Sequence, residues 1–111
     1  MVMTWRVEYY LNQRGESPVK NFLQEQDKRV KAKVLDAIDI LIESGPFLKP
    51  PYMKKLDKDL YELRIKSTVA VRVFYSPITG VYYLLHAFVK KTQKTPDREM
   101  KVALDRIKEL I

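Results

Sequence analysis

A chain of 111 residues falls in the range of one compact domain, and with no cysteine it can form neither a disulfide framework nor a thiolate or zinc–cysteine site. Its single histidine, His86, cannot supply the imidazole pairs that most transition-metal sites use, and no acidic cluster has calcium-loop spacing. The balance of 21 Lys+Arg against 14 Asp+Glu leaves a net charge of +7, which favours a polyanionic partner, nucleic acid foremost, although a soluble protein that is merely basic would have the same composition.

In chain order, Thr4 to Leu11 is dense in β-branched and aromatic residues with Trp5, Val7 and Tyr9 in alternation, which predicts a first strand. The early charges Arg6 and Glu8 argue against a targeting segment, and no apolar run is long enough to span a bilayer, so a cytoplasmic, membrane-free protein is expected. Ser17-Pro18 offers a helix cap followed by proline at the first helical position. Val19, Phe22 and Leu23 form one apolar stripe and Val30, Val34, Ala37, Ile38, Leu41 and Ile42 a second, which predicts two helices, or one broken near Asp27, ending at Gly45-Pro46. Pro46, Pro50 and Pro51 then read as a constrained loop. Three strands are expected at Leu60 to Lys66, Val69 to Ser76 and Val81 to Lys91, with a turn at Ser76 to Gly80. Thr95-Pro96 repeats the cap-plus-proline start, and Met100, Ala103, Leu104, Ile107 and Ile111 give the stripe of a last helix. The expected architecture is a single α+β domain over 1–111, its antiparallel sheet packed on the helical pair. The chain stops at that last helix, so no extension for further partners is expected.

Period-two alternation assigns Tyr61, Leu63, Ile65, Val69, Val71, Val73, Tyr75, Val81, Tyr83, Leu85, Ala87 and Val89 to the core face. The other face collects Glu62, Arg64, Lys66, Arg72, Phe74, Tyr82, His86, Phe88 and Lys90. Charge gathers in the same region: residues 49–66 and 86–98 each carry a net +3. Cations interleaved with aromatics on an open sheet suit single-stranded RNA, the alternative being that the aromatics are core beneath the last helix. Arg72, on a strand centre, is the best phosphate ligand, unless Glu62 pairs with it across neighbouring strands. His86 is the group that titrates nearest neutrality and suits proton transfer, though a lone histidine beside apolar residues also suits plain packing. Glu62 could serve as a base or as a salt-bridge partner. Lys90, Lys91 and Lys94 sit at a strand end just before a helix, a combination able to hold phosphate. The chain has no glycine-rich phosphate loop, nucleophile elbow or HExxH word, which disfavours the familiar hydrolases. Cleavage of RNA through the substrate's own 2′-hydroxyl, without a cofactor, is compatible with these residues.

Three words carry a family resemblance: Leu60-Tyr61-Glu62-Leu63-Arg64, then Val71-Arg72-Val73-Phe74-Tyr75, then Leu84 to Pro96 with its Phe88-Val89-Lys90-Lys91-Thr92-Gln93-Lys94-Thr95-Pro96 end. They resemble the ELR, RxxY and FxKKTxKTP pattern of the HigB-like, phage-derived branch of the RelE/ParE toxin superfamily. The resemblance implies a β-α-α-β-β-β-α fold with a twisted antiparallel sheet. It further implies the toxin of a type II toxin–antitoxin pair, acting as a ribosome-dependent mRNA endoribonuclease. The implied partners are the ribosome and mRNA and a HigA-like helix-turn-helix antitoxin, with operator DNA reached only through the antitoxin complex. By the same resemblance Arg64, Arg72, His86 and Lys91 are the catalytic candidates and Lys90 and Lys94 RNA-binding ones, to which the reading of charge and sheet face adds Lys54, Lys55, Lys66 and Tyr82. Two alternatives stand beside it: a ParE-like toxin that inhibits DNA gyrase without cutting RNA, and a degenerate member that binds only antitoxin and operator.

Overall fold

The computed structural model describes residues 3–111; Met1 and Val2, part of the expected 1–111 domain, lie outside the described residues. After β1 (Val7–Tyr9) come α1 (Pro18–Gln24) and α2 (Lys28–Ser44). A short 3-10 turn follows, then β2 (Met53–Asp57), β3 (Leu60–Lys66), β4 (Ala70–Ile78), β5 (Val81–Val89) and α3 (Asp97–Leu110). The helical caps behave as their sequences dictate. Ser17 Oγ accepts from the Lys20 amide at 3.1 Å and Asp27 Oδ1 from the Val30 amide at 2.9 Å, so Asp27 marks the break between α1 and α2. Gly45 ends α2 with φ +50°, and the Trp5 ring lies where its side chain would begin; only glycine meets both demands.

The five strands form one sheet in the order β1-β5-β4-β3-β2. The expected β3-β4-β5 meander is present and antiparallel, whereas β1 joins parallel to β5 rather than antiparallel. Thr79 and Gly80, with φ of 49° and 79°, make the tight β4–β5 turn, so pairing continues through Pro77 to Ile78 and the turn is shorter than expected. The segment expected as a pure loop holds β2, paired with β3 and interrupted by a bulge between Lys55 and Asp57. Met53 and Leu56, three residues apart, face different cores as ordinary alternation requires, so the strand offers no apolar residues at two-residue spacing for a sequence reading to find.

Helices cover both faces of the sheet. Val19, Leu23, Val30, Val34, Ile38 and Leu41 of α1 and α2 pack on Leu63, Ile65, Val71, Val73, Tyr75, Leu84 and Ala87. On the other side Ala103 of α3, with Met100, Leu104 and Ile107, packs on Leu60, Phe74, Leu85 and Phe88. The expected open face is therefore covered in part, and Phe74 and Phe88 are core rather than stacking platforms. A second bulge explains the other misplacement. Phe74 pairs with His86 and Tyr75 with Leu84, leaving Leu85 as the extra residue, so every side chain before it changes face. Tyr82 thus joins Leu84 on the face of α1 and α2, while Tyr83 and Leu85 turn to α3. Val69, expected in the core, is exposed at the β3–β4 turn.

A candidate phosphate site on the sheet

The β3–β4 register sets Arg64 directly opposite Arg72 and Glu62 opposite Phe74, all on the face that α3 only partly covers. Two like charges facing each other across a ladder are unfavourable unless a carboxylate intervenes. Glu62 does so. It is 1% exposed, and its Oε1 lies 3.5 Å from Arg64 Nε and 3.6 Å from Arg72 Nε, while Thr95 Oγ1 donates to Oε2 at 3.2 Å. Thr95, expected as the cap of α3, makes this link instead, and Pro96 stands at the helix start without a side-chain cap. Glu62 thereby faces the arginines as their shared counter-ion.

Arg72 is 7% exposed, and one of its terminal nitrogens donates to the Val71 carbonyl at 3.1 Å. Its Nε is buried and has no hydrogen-bond partner among the described residues, because the Glu62 contact is longer than a hydrogen bond. A buried guanidinium neutralised by charge but not saturated by hydrogen bonds keeps donor capacity for a ligand oxygen. Lys90 completes the group. Burial and then the Arg72 charge hold its ammonium below the ordinary lysine value; Arg64 and Lys54 add to this and Glu62 opposes it. A lysine so placed releases its proton more readily than a free one.

Two clefts open from this group and share Arg64. One, of about 430 Å³, is lined by Lys54, Glu62, Arg64, Lys90, Lys94 and Thr95 among others. The other, of about 520 Å³, is lined by Pro51, Tyr52, Arg64, Lys66 and Arg72. Of the ten residues singled out by sequence, six therefore come together: Lys54, Arg64, Lys66, Arg72, Lys90 and Lys94. Four do not. Lys91 lines neither cleft and borders a small pocket with Lys90, Arg98 and Glu99. Lys55 lies over the Tyr61 ring at 5.9 Å, on the helical-pair side of β2. Tyr82 was carried to that same side by the β5 bulge and packs against Tyr75.

His86 is held beneath α3. Arg106 donates to its Nδ1 at 3.3 Å, which makes Nδ1 an acceptor, and Nε2–H then donates to Glu99 Oε1 at 3.0 Å. This neutral ring, its pKa lowered first by burial, fastens a helix and lines neither cleft. Sequence reasoning did not single out Thr95 or Tyr52 as site residues. Thr95 is within the last family word and could have been found there; Tyr52 left no local signal, because it owes its position to pairing with β3.

The model of the family described as "Phage derived protein Gp49-like" matches residues 21–108. No curated protein matches the sequence. Among solved structures, the chain is similar to a double arginine-to-alanine mutant of the E. coli toxin RelE in the free state, with a TM-score of 0.65 at 15% identity over 95% of this chain and 99% of that one. At that identity the likeness establishes the fold. The fold is RelE-like over nearly the whole chain, and the family match, which spans all three words, identifies the chain as a member of the Gp49-like family.

Proposed function

We propose that this protein is the toxin of a type II toxin–antitoxin pair and acts as a ribosome-dependent mRNA endoribonuclease. The observation that carries this reading is the facing pair Arg64 and Arg72, clamped by a buried Glu62 and opening onto two cation-lined clefts. Two preorganised guanidiniums suit a phosphodiester whose negative charge grows in the transition state. The substrate's 2′-hydroxyl gives up its proton to water and its oxygen attacks phosphorus as the bond to the 5′-oxygen breaks, leaving a 2′,3′-cyclic phosphate and a 5′-hydroxyl. Arg64 and Arg72 hold the non-bridging oxygens, and Lys90, its proton made labile first by burial and then by the Arg72 charge, protonates the departing 5′-oxygen. Lys54, Lys66 and Lys94 guide the flanking backbone. The neutralising partner is a helix-turn-helix antitoxin that presents acidic side chains to these clefts and alone contacts operator DNA.

Primer extension on mRNA from translating ribosomes exposed to the protein tests the reading. Translation-dependent cuts are expected, falling at least about 100-fold in Arg72→Ala, the scale of losing one oxyanion donor, and strongly in Lys90→Ala. Lys91→Ala retains cleavage. Intact mRNA with blocked gyrase supercoiling would overturn the nuclease in favour of a ParE-like action.

A further inference from the structure

The second cleft holds a side chain for which neither core packing nor phosphate binding accounts. Tyr52 is 57% exposed, yet its backbone is firmly held: its amide donates to the Lys49 carbonyl at 3.1 Å and its carbonyl accepts from the Arg64 amide at 2.9 Å. The latter bond extends the β2–β3 ladder one residue beyond the Met53–Leu63 pair, which sets Tyr52 opposite Arg64. Its ring therefore stands on the arginine face, beside Pro51, in a cleft whose other lining groups are Arg64, Lys66 and Arg72. One wall is a flat aromatic surface and the remainder is cationic. At about 520 Å³ the cleft is of the size that accepts small organic groups.

We propose that Tyr52 is the stacking platform for a nucleobase of single-stranded RNA, namely the base adjoining the phosphate held by Arg64 and Arg72. The inference rests on the nuclease reading and extends it to the substrate's base. A phosphate alone would leave the Tyr52 ring unused. A nucleotide satisfies both halves of the cleft at once, its base on the ring and its anion on the guanidiniums. The rigid backbone means that the ring is already in place before binding, so little ordering is needed. Because every base has a π face, stacking here anchors the strand and favours purines by overlap rather than reading a hydrogen-bond code.

The test uses the full chain and two short 2′-O-methyl RNA oligomers, which cannot be cleaved, one intact and one with a single abasic residue. The wild-type protein should bind the intact oligomer more tightly. Tyr52→Ala should weaken that binding about tenfold and leave the abasic oligomer's affinity unchanged, while Tyr52→Phe, which keeps the ring, should bind as the wild type does. Since Tyr52 is exposed and its ladder bond is made by backbone atoms, the alanine variant keeps the fold, to be verified by its thermal unfolding. If wild type prefers the intact oligomer and Tyr52→Ala does so equally, the platform is wrong and the arginine site stands. If Arg72→Ala binds both oligomers as well as wild type, the phosphate site fails and the platform with it. Unchanged RNA affinity with weakened antitoxin binding would assign the cleft to a protein side chain and would also overturn the proposal.

Discussion

Glu62 on β3 and His86 on β5 are titratable side chains that the fold uses to hold other groups in place. Both looked able to move protons. Glu62 instead neutralises two arginines, and because it is buried its removal would leave guanidinium charge uncompensated, a kind of loss that costs about 3 kcal/mol or more. His86 is held neutral, bridging Glu99 and Arg106. Burial, opposed by the Glu99 carboxylate, lowers its pKa from 6.5, so the unfolded chain takes up a proton at a higher pH than the folded one. The stabilisation from keeping the ring neutral is complete above about pH 6.5 and is lost as pH falls below that value towards the folded pKa. Urea unfolding between pH 7.5 and 5.5 should therefore show stability declining with acidification, by at most about 1.4 kcal/mol per pH unit for one proton. His86→Gln should show a shallower decline. Identical slopes in the two proteins would mean that the histidine is not the titrating group.

At the scale of elements, α3 separates a fold that merely resembles an open RNA-binding sheet from one in which only part of the face is free. Its attachments are specific. Arg106 donates to the Leu85 carbonyl at 2.8 Å and lies 5.3 Å from the Tyr10 ring centre, and the Tyr10 hydroxyl donates to Glu109 at 2.7 Å. The carbonyl that Arg106 reaches belongs to the bulged residue of β5, so the bulge and the helix complete one another. Arg106→Ala should cost about 1–3 kcal/mol, and hydrogen exchange should quicken in α3 and around Leu85 while the amides of α2 keep their protection. A uniform change across all helices would instead point to global destabilisation. The elements themselves were largely legible, because Ser17, Asp27 and Gly45 act through local backbone geometry that any sequence reading can use. β2 was not, since only two of its five residues, Met53 and Leu56, are apolar, they face opposite sides, and its charged residues resemble a loop. Strand faces were legible in β3 and most of β4 and misjudged at the start of β5, where one extra residue reversed them.

For the molecule as a whole, the excess of +7 acquires direction from the way β2, β3 and the end of β5 meet. Lys54 arrives from a strand that sequence did not show, Arg64 and Arg72 from the centre, and Lys90 and Lys94 from the exit towards α3. Binding of uncleavable RNA should consequently depend steeply on salt. With three or four phosphates contacted, the slope of log affinity against log salt should be about −2 to −3, and Lys54→Ala with Lys94→Ala should flatten it by about one unit. A slope near zero would show that the clefts do not follow a polyanion backbone. Among the described residues no helix is long and apolar enough to cross a membrane.

The sequence alone determined the α+β class, the helix boundaries, the central meander and the arginine pair, because caps, periodicity and the family words are encoded within a few neighbouring residues. Tertiary structure decided which cations face one another. Lys91 borders neither cleft, Lys55 and Tyr82 lie on the helical-pair side of the sheet, His86 is enclosed by a helix that packs from the far end of the chain, and Tyr52 enters by pairing with a strand twelve residues on. Each of those outcomes depends on register and on what covers a face, and these are set by long-range packing rather than by local pattern.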